Sequence, residues 1–335
     1  MNSDNAKVER GKNTLKLRNN RIDSVKYWLI ALVITGHVVQ CFNGIPTCKL
    51  MWNWIYLFHM PLFIFISGYF SRKKSKKVLK TSIWKLAEPL MIYQIIGLIF
   101  IVHSFTIIDV ITPCWVLWYL LSLIFWRLML QIIPDKALNK PIFILPVALC
   151  VSILAGFLPI NDILSIQKTL SFLPFFFLGY YMRDKNLFLP EKYKPLCLLF
   201  LILSFAIPIF YSQFLGSLTH DSSYVCYNDA IKRLLVFCLS IPMSLAFINV
   251  CIDRPWIARQ GQLTMQYYIY HAVVLYPFLE IMSKFGFPLS VLTAILYTLI
   301  ITIGIGFLSY LPNFNKFTNP SLFLKQCESA ELTLL

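Results

Sequence analysis

The sequence predicts an all-α, polytopic membrane helix bundle of about ten transmembrane helices, on three observations. Of 335 residues, 58% are hydrophobic and only 13% are charged, about half the charged share of an ordinary soluble domain. The apolar residues come in blocks long enough, as helices, to cross a hydrocarbon core of about 30 Å. Lys and Arg concentrate in alternate gaps between those blocks, the pattern that orients spans in a bilayer.

The blocks are read at 26–43, 51–70, 86–107, 114–133, 141–159, 165–182, 195–212, 230–251, 263–282 and 288–311. A ten-span alternation puts 25 of the 30 Lys and Arg on one side, leaving Lys49, Lys168, Lys232, Arg233 and Lys284 on the other. The positive-inside rule makes the crowded side cytoplasmic and both termini with it. The expected organisation is a cytoplasmic tail over 1–25, one membrane domain over 26–311 and a cytoplasmic tail over 312–335. The first block follows a polar segment and lacks a small-residue cleavage site, so it reads as a span and not a signal peptide. The net charge of +15 is spread through the gaps and not gathered on one face, which argues against nucleic acid as a partner. The nine cysteines form no CxxC. Of these, Cys41, Cys48, Cys114 and Cys226 fall near one side of the bundle, where a pairing is conceivable.

Ionisable groups inside spans are costly and face a cavity or a partner, so intramembrane histidines are the first candidates for chemistry. His37 sits in ITGHVV among apolar or small neighbours. Lys26 precedes it by 11 residues, within about 20° of three full turns and about 16 Å along a helix. Asp23 falls within about 40° of the same face. One stripe then runs from an Asp23/Lys26 pair at the membrane surface to a deep imidazole. The alternative is a histidine that only hydrogen-bonds a neighbouring helix. His59 lies in FHMPLFIFISGYF, on a span that a short loop makes antiparallel to the first, so the two imidazoles are expected to share a cavity. Pro61 removes a backbone donor and Gly68 leaves space, which suits a bent helix beside that cavity; a purely structural kink would use the same residues.

Thr264, Tyr267 and His271 recur at i, i+3 and i+7 and share a face of the ninth block. Trp115, Trp118 and Tyr119 open the fourth block, as an interfacial aromatic belt or as a platform for a sugar ring. Arg72, Lys73 and Lys74, with Lys76, Lys77, Lys80 and Lys85, are first a topology signal and second a holder for the phosphates of a soluble donor. Lys232 and Arg233, on the sparsely charged side, either bind an anion or snorkel to headgroups. The HxxxxD, GxSxG, Walker and HExxH motifs are absent, and nothing in the pattern requires a metal.

Taken together, several stretches resemble one family. Ile22-Asp23-Ser24-Val25-Lys26 leading to Gly36-His37 is similar to the first-span signature of the acyltransferase-3 family, nearest its fucose 4-O-acetylase-like branch. Phe58-His59-Met60-Pro61-Leu62-Phe63 through Ser67-Gly68-Tyr69 resembles that branch's second span. The basic stretch ending at Pro89, Leu117-Trp118-Tyr119-Leu120, Phe172-Leu173-Pro174 with Phe177-Leu178-Gly179-Tyr180, and Gly261 through Tyr270-His271 follow in the family's order, covering about residues 20 to 311.

The resemblance implies a bacterial inner-membrane O-acyltransferase. It would move an acyl group, in the first instance acetyl, from cytoplasmic acyl-CoA to a hydroxyl of a surface glycan or its lipid-linked precursor. The family's intramembrane histidine maps onto His37, as general base or acyl carrier, with His59 and Asp23 as supporting catalytic candidates. Lys26, where many members carry Arg, joins Arg72, Lys73 and Lys85 as candidates for binding acyl-CoA. Trp118, Tyr119, Tyr267 and His271 are the candidates for the acceptor. The implied partners are acyl-CoA as co-substrate, a sugar or lipid-linked glycan, and membrane lipid, with no bound cofactor and no metal. The rival reading is a glycan or small-solute transporter, in which buried histidines and basic loops would look alike.

Overall fold

In hydrocarbon every backbone N–H and C=O needs a partner within the chain, so long apolar runs become helices. The computed structural model describes residues 20–311, apart from 103–104, 160–162, 212–217, 221–222 and 287–289. No strand occurs among the described residues. Most of both expected tails, 1–19 and 312–335, lies outside them.

In chain order the helices are α1 (Asn20–Cys41), α2 (Pro46–Tyr56), α3 (His59–Tyr69), α4 (Lys76–Gly97), α5 (Ile107–Ile111), α6 (Trp118–Ile132), α7 (Asp135–Leu138) and α8 (Pro141–Ala155). Then come α9 (Ile166–Ser171), α10 (Leu173–Tyr181), α11 (Lys194–Ser204), α12 (Ala206–Tyr211), α13 (Asn228–Val250), α14 (Pro255–Gly261), α15 (Thr264–Lys284) and α16 (Val291–Leu308). Among the described residues, seven single spans are long and apolar enough to cross a membrane, and the bent pair α9–α10 makes an eighth. The other two expected spans correspond to α8, which is short, and α15, which carries His271 and Glu280. All ten expected blocks thus have a helical counterpart, although fewer than ten qualify by length and hydropathy.

Contacts at the helix ends show the alternation directly. Ser24 donates to Asp253 at 2.7 Å, Arg72 reaches Asp184 at 3.2 Å, Arg21 pairs with Glu191 at 2.9 Å, and Lys73 donates to the Ile133 carbonyl at 2.7 Å. Tyr181 reaches the Leu138 carbonyl and Gln260 reaches Tyr310. These contacts gather the start of α1 and the loops after α3, α6, α10, α13 and α16 at one end, here called the basic end.

Prolines break the spans where the fold needs it. Pro61 has no N–H to give the Leu57 carbonyl, so the second span breaks between α2 and α3, and the Ser240 hydroxyl donates to that carbonyl instead. The break comes just ahead of Pro61. Pro174 sits in the first turn of α10, and α9 and α10 meet at 54°. Where α3 crosses α10, a Cβ on Gly68 would strike the Phe176 carbonyl, and one on Gly179 would strike the Phe65 carbonyl. The two backbones therefore touch, as small residues allow in membrane bundles.

At the centre runs α1, whose best 18-residue window is 61% buried, against 22% for Glu191–Phe210. Its Ile30, Ile34 and Val38 pack into one apolar cluster, and Val25 and Leu29 into a second on its other side. A helix apolar all round belongs inside a bundle, and its one interior imidazole goes with it. The eight described cysteines are all free, so the conceivable pairing of Cys41, Cys48, Cys114 and Cys226 is not made.

Candidate active site

His37 meets a polar triangle one turn before the end of α1. The Tyr56 hydroxyl donates to Gln40 Oε1 at 3.1 Å and lies 3.2 Å from His37 Nδ1, which is itself 3.4 Å from Gln40 Oε1. Since Tyr56 gives its proton to Gln40, Nδ1 meets only oxygen lone pairs and carries the ring hydrogen. The lone pair is left on Nε2, the tautomer a general base needs.

His271 stacks on His37 with ring centroids 5.4 Å apart and planes 22° from parallel. Its Nδ1 donates to the Tyr267 carbonyl at 2.9 Å, while its fully buried Nε2 has no hydrogen-bond partner. An unpartnered buried nitrogen costs free energy unless something comes to meet it. Trp115 closes the pair, its ring 4.7 Å from His37 and 5.9 Å from His271. The Trp115 backbone sits at φ 44°, in the left-handed region, a strain of about 1–3 kcal/mol that flanking structure must hold. Gln94 supplies part of that hold, donating to the Asp109 and Thr112 carbonyls and accepting from the Cys114 amide at 2.8 Å. Tyr268, donating to the Val116 carbonyl, holds the residue that follows.

Toward the basic end lies a cavity of about 340 Å³. Among the described residues, four cations line it, Lys26, Arg72, Lys74 and Arg127, and no carboxylate does. Ser82 ties two of them together: Lys74 donates to its hydroxyl at 2.8 Å and Arg127 to its carbonyl at 2.9 Å. Burial, then Arg127 and Lys85, push the Lys74 ammonium below its ordinary range, so like charge crowds that lysine, while Lys26 and Arg72 carry Asp23 and Asp184 as partners. Tyr119 and Tyr268 also line it, with rings 5.5 Å apart. Tyr119 is held by Ser67 at 2.5 Å, and Tyr268 has His271 at 6.1 Å. Tyr268 therefore stands between the basic cavity and the histidine pair.

Among the residues expected from the sequence, His37 and His271 come together, and His59 stands behind them. His59 Nδ1 donates to the Ile55 carbonyl at 2.8 Å, and its ring is 4.6 Å from Tyr56. Tyr56 thus lies between His59 and His37. Asp23 pairs with Lys26 at 2.7 Å, at the far end of α1 from His37. Lys73 pairs with Asp135 at 2.6 Å on the surface, and Lys85 is exposed; neither lines the cavity. Trp118 stacks on Phe172 at 5.5 Å, with Lys168 above it at 5.6 Å. Tyr267 donates to Gln260 at 2.7 Å and sits edge-on to Tyr27, facing away from His271. Sequence reasoning missed Gln40, Tyr56, Gln94 and Arg127, which are polar groups within apolar helices; that rarity was the available signal. It also missed Trp115 as the cover of His37, because an aromatic at a span end reads first as a belt residue.

An acyltransferase domain of the acyltransferase-3 family matches residues 19–311, while no curated protein and no solved structure matches the chain. The match spans every described helix from α1 to α16, including the histidine pair and the basic cavity. On that coverage the chain belongs to the acyltransferase-3 family, a multi-pass membrane acyltransferase.

Proposed function

We propose that the protein is an O-acyltransferase that takes an acetyl group from acetyl-CoA at the basic end and passes it to a sugar hydroxyl at the other. The observation that carries this is the stacked His37–His271 pair, with both Nδ1 atoms tied up and both Nε2 lone pairs free, beyond a cavity lined by four cations. Lys26, Arg72, Lys74 and Arg127 would hold the donor's phosphates. Lys26 and His37 share a face of α1 about 16 Å apart, a span that an extended pantetheine arm covers, with the thioester passing Tyr268.

In the reaction the acceptor hydroxyl gives its proton to His37 Nε2 as its oxygen attacks the thioester carbon. The C–S bond then breaks, and the imidazolium returns the proton to the leaving thiolate, giving the ester and free CoA. His271 Nε2, buried and unpartnered, would accept a hydrogen bond from the acceptor and hold it in line. His59 acts through Tyr56 as a positioning residue. By charge partition the basic end is cytoplasmic, and the resemblance to the bacterial branch makes the membrane the inner one. The acceptor fitting this arrangement is a surface glycan or its lipid-linked precursor, as in the fucose 4-O-acetylase-like branch.

Single-turnover acetyl transfer from radiolabelled acetyl-CoA, normalised to folded protein, tests this. Removing a general base costs about 10²–10⁴-fold in rate, so His37→Gln should insert and purify normally yet transfer almost nothing. Retention of more than about a tenth of the wild-type rate would move the base to His271.

A further inference from the structure

Arg233 and Lys232 both carry charge against the partition that organises the rest of the chain, and the structure treats them differently. Lys232 turns to Asp229 at 2.9 Å. Arg233 turns inward and is only 4% exposed. Its Nη1 donates to the Ser152 carbonyl at 2.8 Å and the Ser171 hydroxyl at 2.9 Å, and its guanidinium lies 4.6 Å from the Tyr224 ring. Each of these partners is neutral. The nearby carboxylate, Asp229, is already engaged by Lys232 and by the Val225 and Cys226 amides. A buried guanidinium facing neutral dipoles alone is costly, and an anion would offset that cost.

Two further groups within electrostatic reach of Arg233 have nothing to meet. His220 is 2% exposed, and its Nδ1 is buried without a hydrogen-bond partner; the Tyr224 hydroxyl is likewise buried and unpartnered. Burial, then Arg233, then Lys168, hold the His220 imidazole down at about 3, so it is neutral and can offer an N–H. Tyr224 is seated firmly: its amide donates to the Gly156 carbonyl at 2.7 Å, and a Cβ on Gly156 would strike its ring. His220 lies edge-on to Phe172 at 4.9 Å, which stacks on Trp118, linking this cluster to an aromatic face already singled out for a sugar. The adjoining Val225 and Tyr227 are exposed, which leaves an approach from outside.

We propose that Arg233, His220 Nδ1 and the Tyr224 hydroxyl form an anion site at the end of the bundle opposite Lys26, taking the carboxylate or phosphate of an acidic sugar acceptor. That the ligand is the acceptor rests on the acyl transfer proposed above; that the site takes an anion does not. A phospholipid headgroup offers the same phosphate chemistry, so the test separates the two.

Full-length protein in phosphatidylcholine nanodiscs is titrated calorimetrically with 4-nitrophenyl glucuronide, glucose 1-phosphate and the neutral 4-nitrophenyl glucoside. One of the anionic sugars should bind about tenfold or more tighter than the glucoside, the yield of a charge-assisted hydrogen bond. Tyr224→Phe, which removes an oxygen no protein group uses, should shrink that preference about threefold or more. Arg233→Gln should abolish it, with acetyl-CoA affinity reporting the fold. No preference in the wild type, or one that survives both substitutions, overturns the proposal. In nanodiscs containing phosphatidylglycerol, loss of sugar binding together with less phosphatidylglycerol retained by Arg233→Gln would make the headgroup the ligand and overturn the acceptor assignment. An anion preference without any acetyl transfer would sink the acyltransferase reading and leave the site standing.

Discussion

At the scale of single residues, the tautomer of His37 is what the surrounding groups control. Tyr56 and Gln40 fix a hydrogen on Nδ1 without supplying charge. Tyr56→Phe should therefore keep the imidazole but loosen its orientation, lowering single-turnover acetyl transfer about tenfold, well short of the loss in His37→Gln. Acetyl-CoA affinity equal to wild type would place the defect in chemistry; a weakened donor affinity instead would contradict this role. Lys74 makes a second prediction. Anion binding needs its protonated form, and its pKa is held low by burial, Arg127 and Lys85. Affinity for desulfo-CoA should thus fall as pH rises through that lowered value, earlier than an ordinary lysine would lose its proton. Lys85→Gln removes one repelling charge, so the fall should move to higher pH. A midpoint that stays in place would show that Lys74 does not contact the donor.

At the scale of elements, glycine sets how closely α3 and α10 cross. Gly68→Ala must push a methyl into the Phe176 carbonyl, where no flexible side chain can yield. Overpacking of this kind costs about 1–3 kcal/mol, so the thermal midpoint in detergent should drop clearly. Gly304→Ala is the control: nothing lies near its added methyl, and losing a helical glycine should leave stability unchanged or slightly higher. Equal effects of the two would mean that the crossing tolerates separation. Lys26→Met, on α1, should weaken acetyl-CoA binding with expression intact, and Lys26→Arg should restore it if phosphate pairing is the role. Calorimetric titration of the three proteins with acetyl-CoA decides.

At the scale of the whole molecule, the charge partition and the end contacts agree on one geometry. The loops that carry most Lys and Arg are the ones that meet through Arg72–Asp184, Arg21–Glu191 and Ser24–Asp253. Reporter fusions after Lys140 and Lys192 should both read cytoplasmic, and one at Ser223 should read the opposite side. A cytoplasmic signal at Ser223 would remove the alternation and with it the separate faces for donor and acceptor.

The helical class, the path of nearly every span and the face shared by Lys26 and His37 were legible in the sequence, because helical period and hydropathy are local properties. His37 itself was legible as a lone imidazole among ITGHVV. The partners were not. His271 lies 234 residues further along the chain, and Trp115 78; only the packing of α15 and the strained turn before α6 onto α1 brings them to the same imidazole. Tyr267 shows the converse: its spacing put it on the face of His271, yet its hydroxyl packs against Gln260 and Tyr27 instead, since about 40° between i and i+4 still lets two long side chains meet different neighbours. Arg233 could be seen as a charge out of place, but whether it would snorkel outward or turn inward was decided by Ser152, Ser171 and Tyr224 on other elements. Which residues are buried followed from local pattern; which of them meet was settled by helix crossings that depend on distant glycines and prolines.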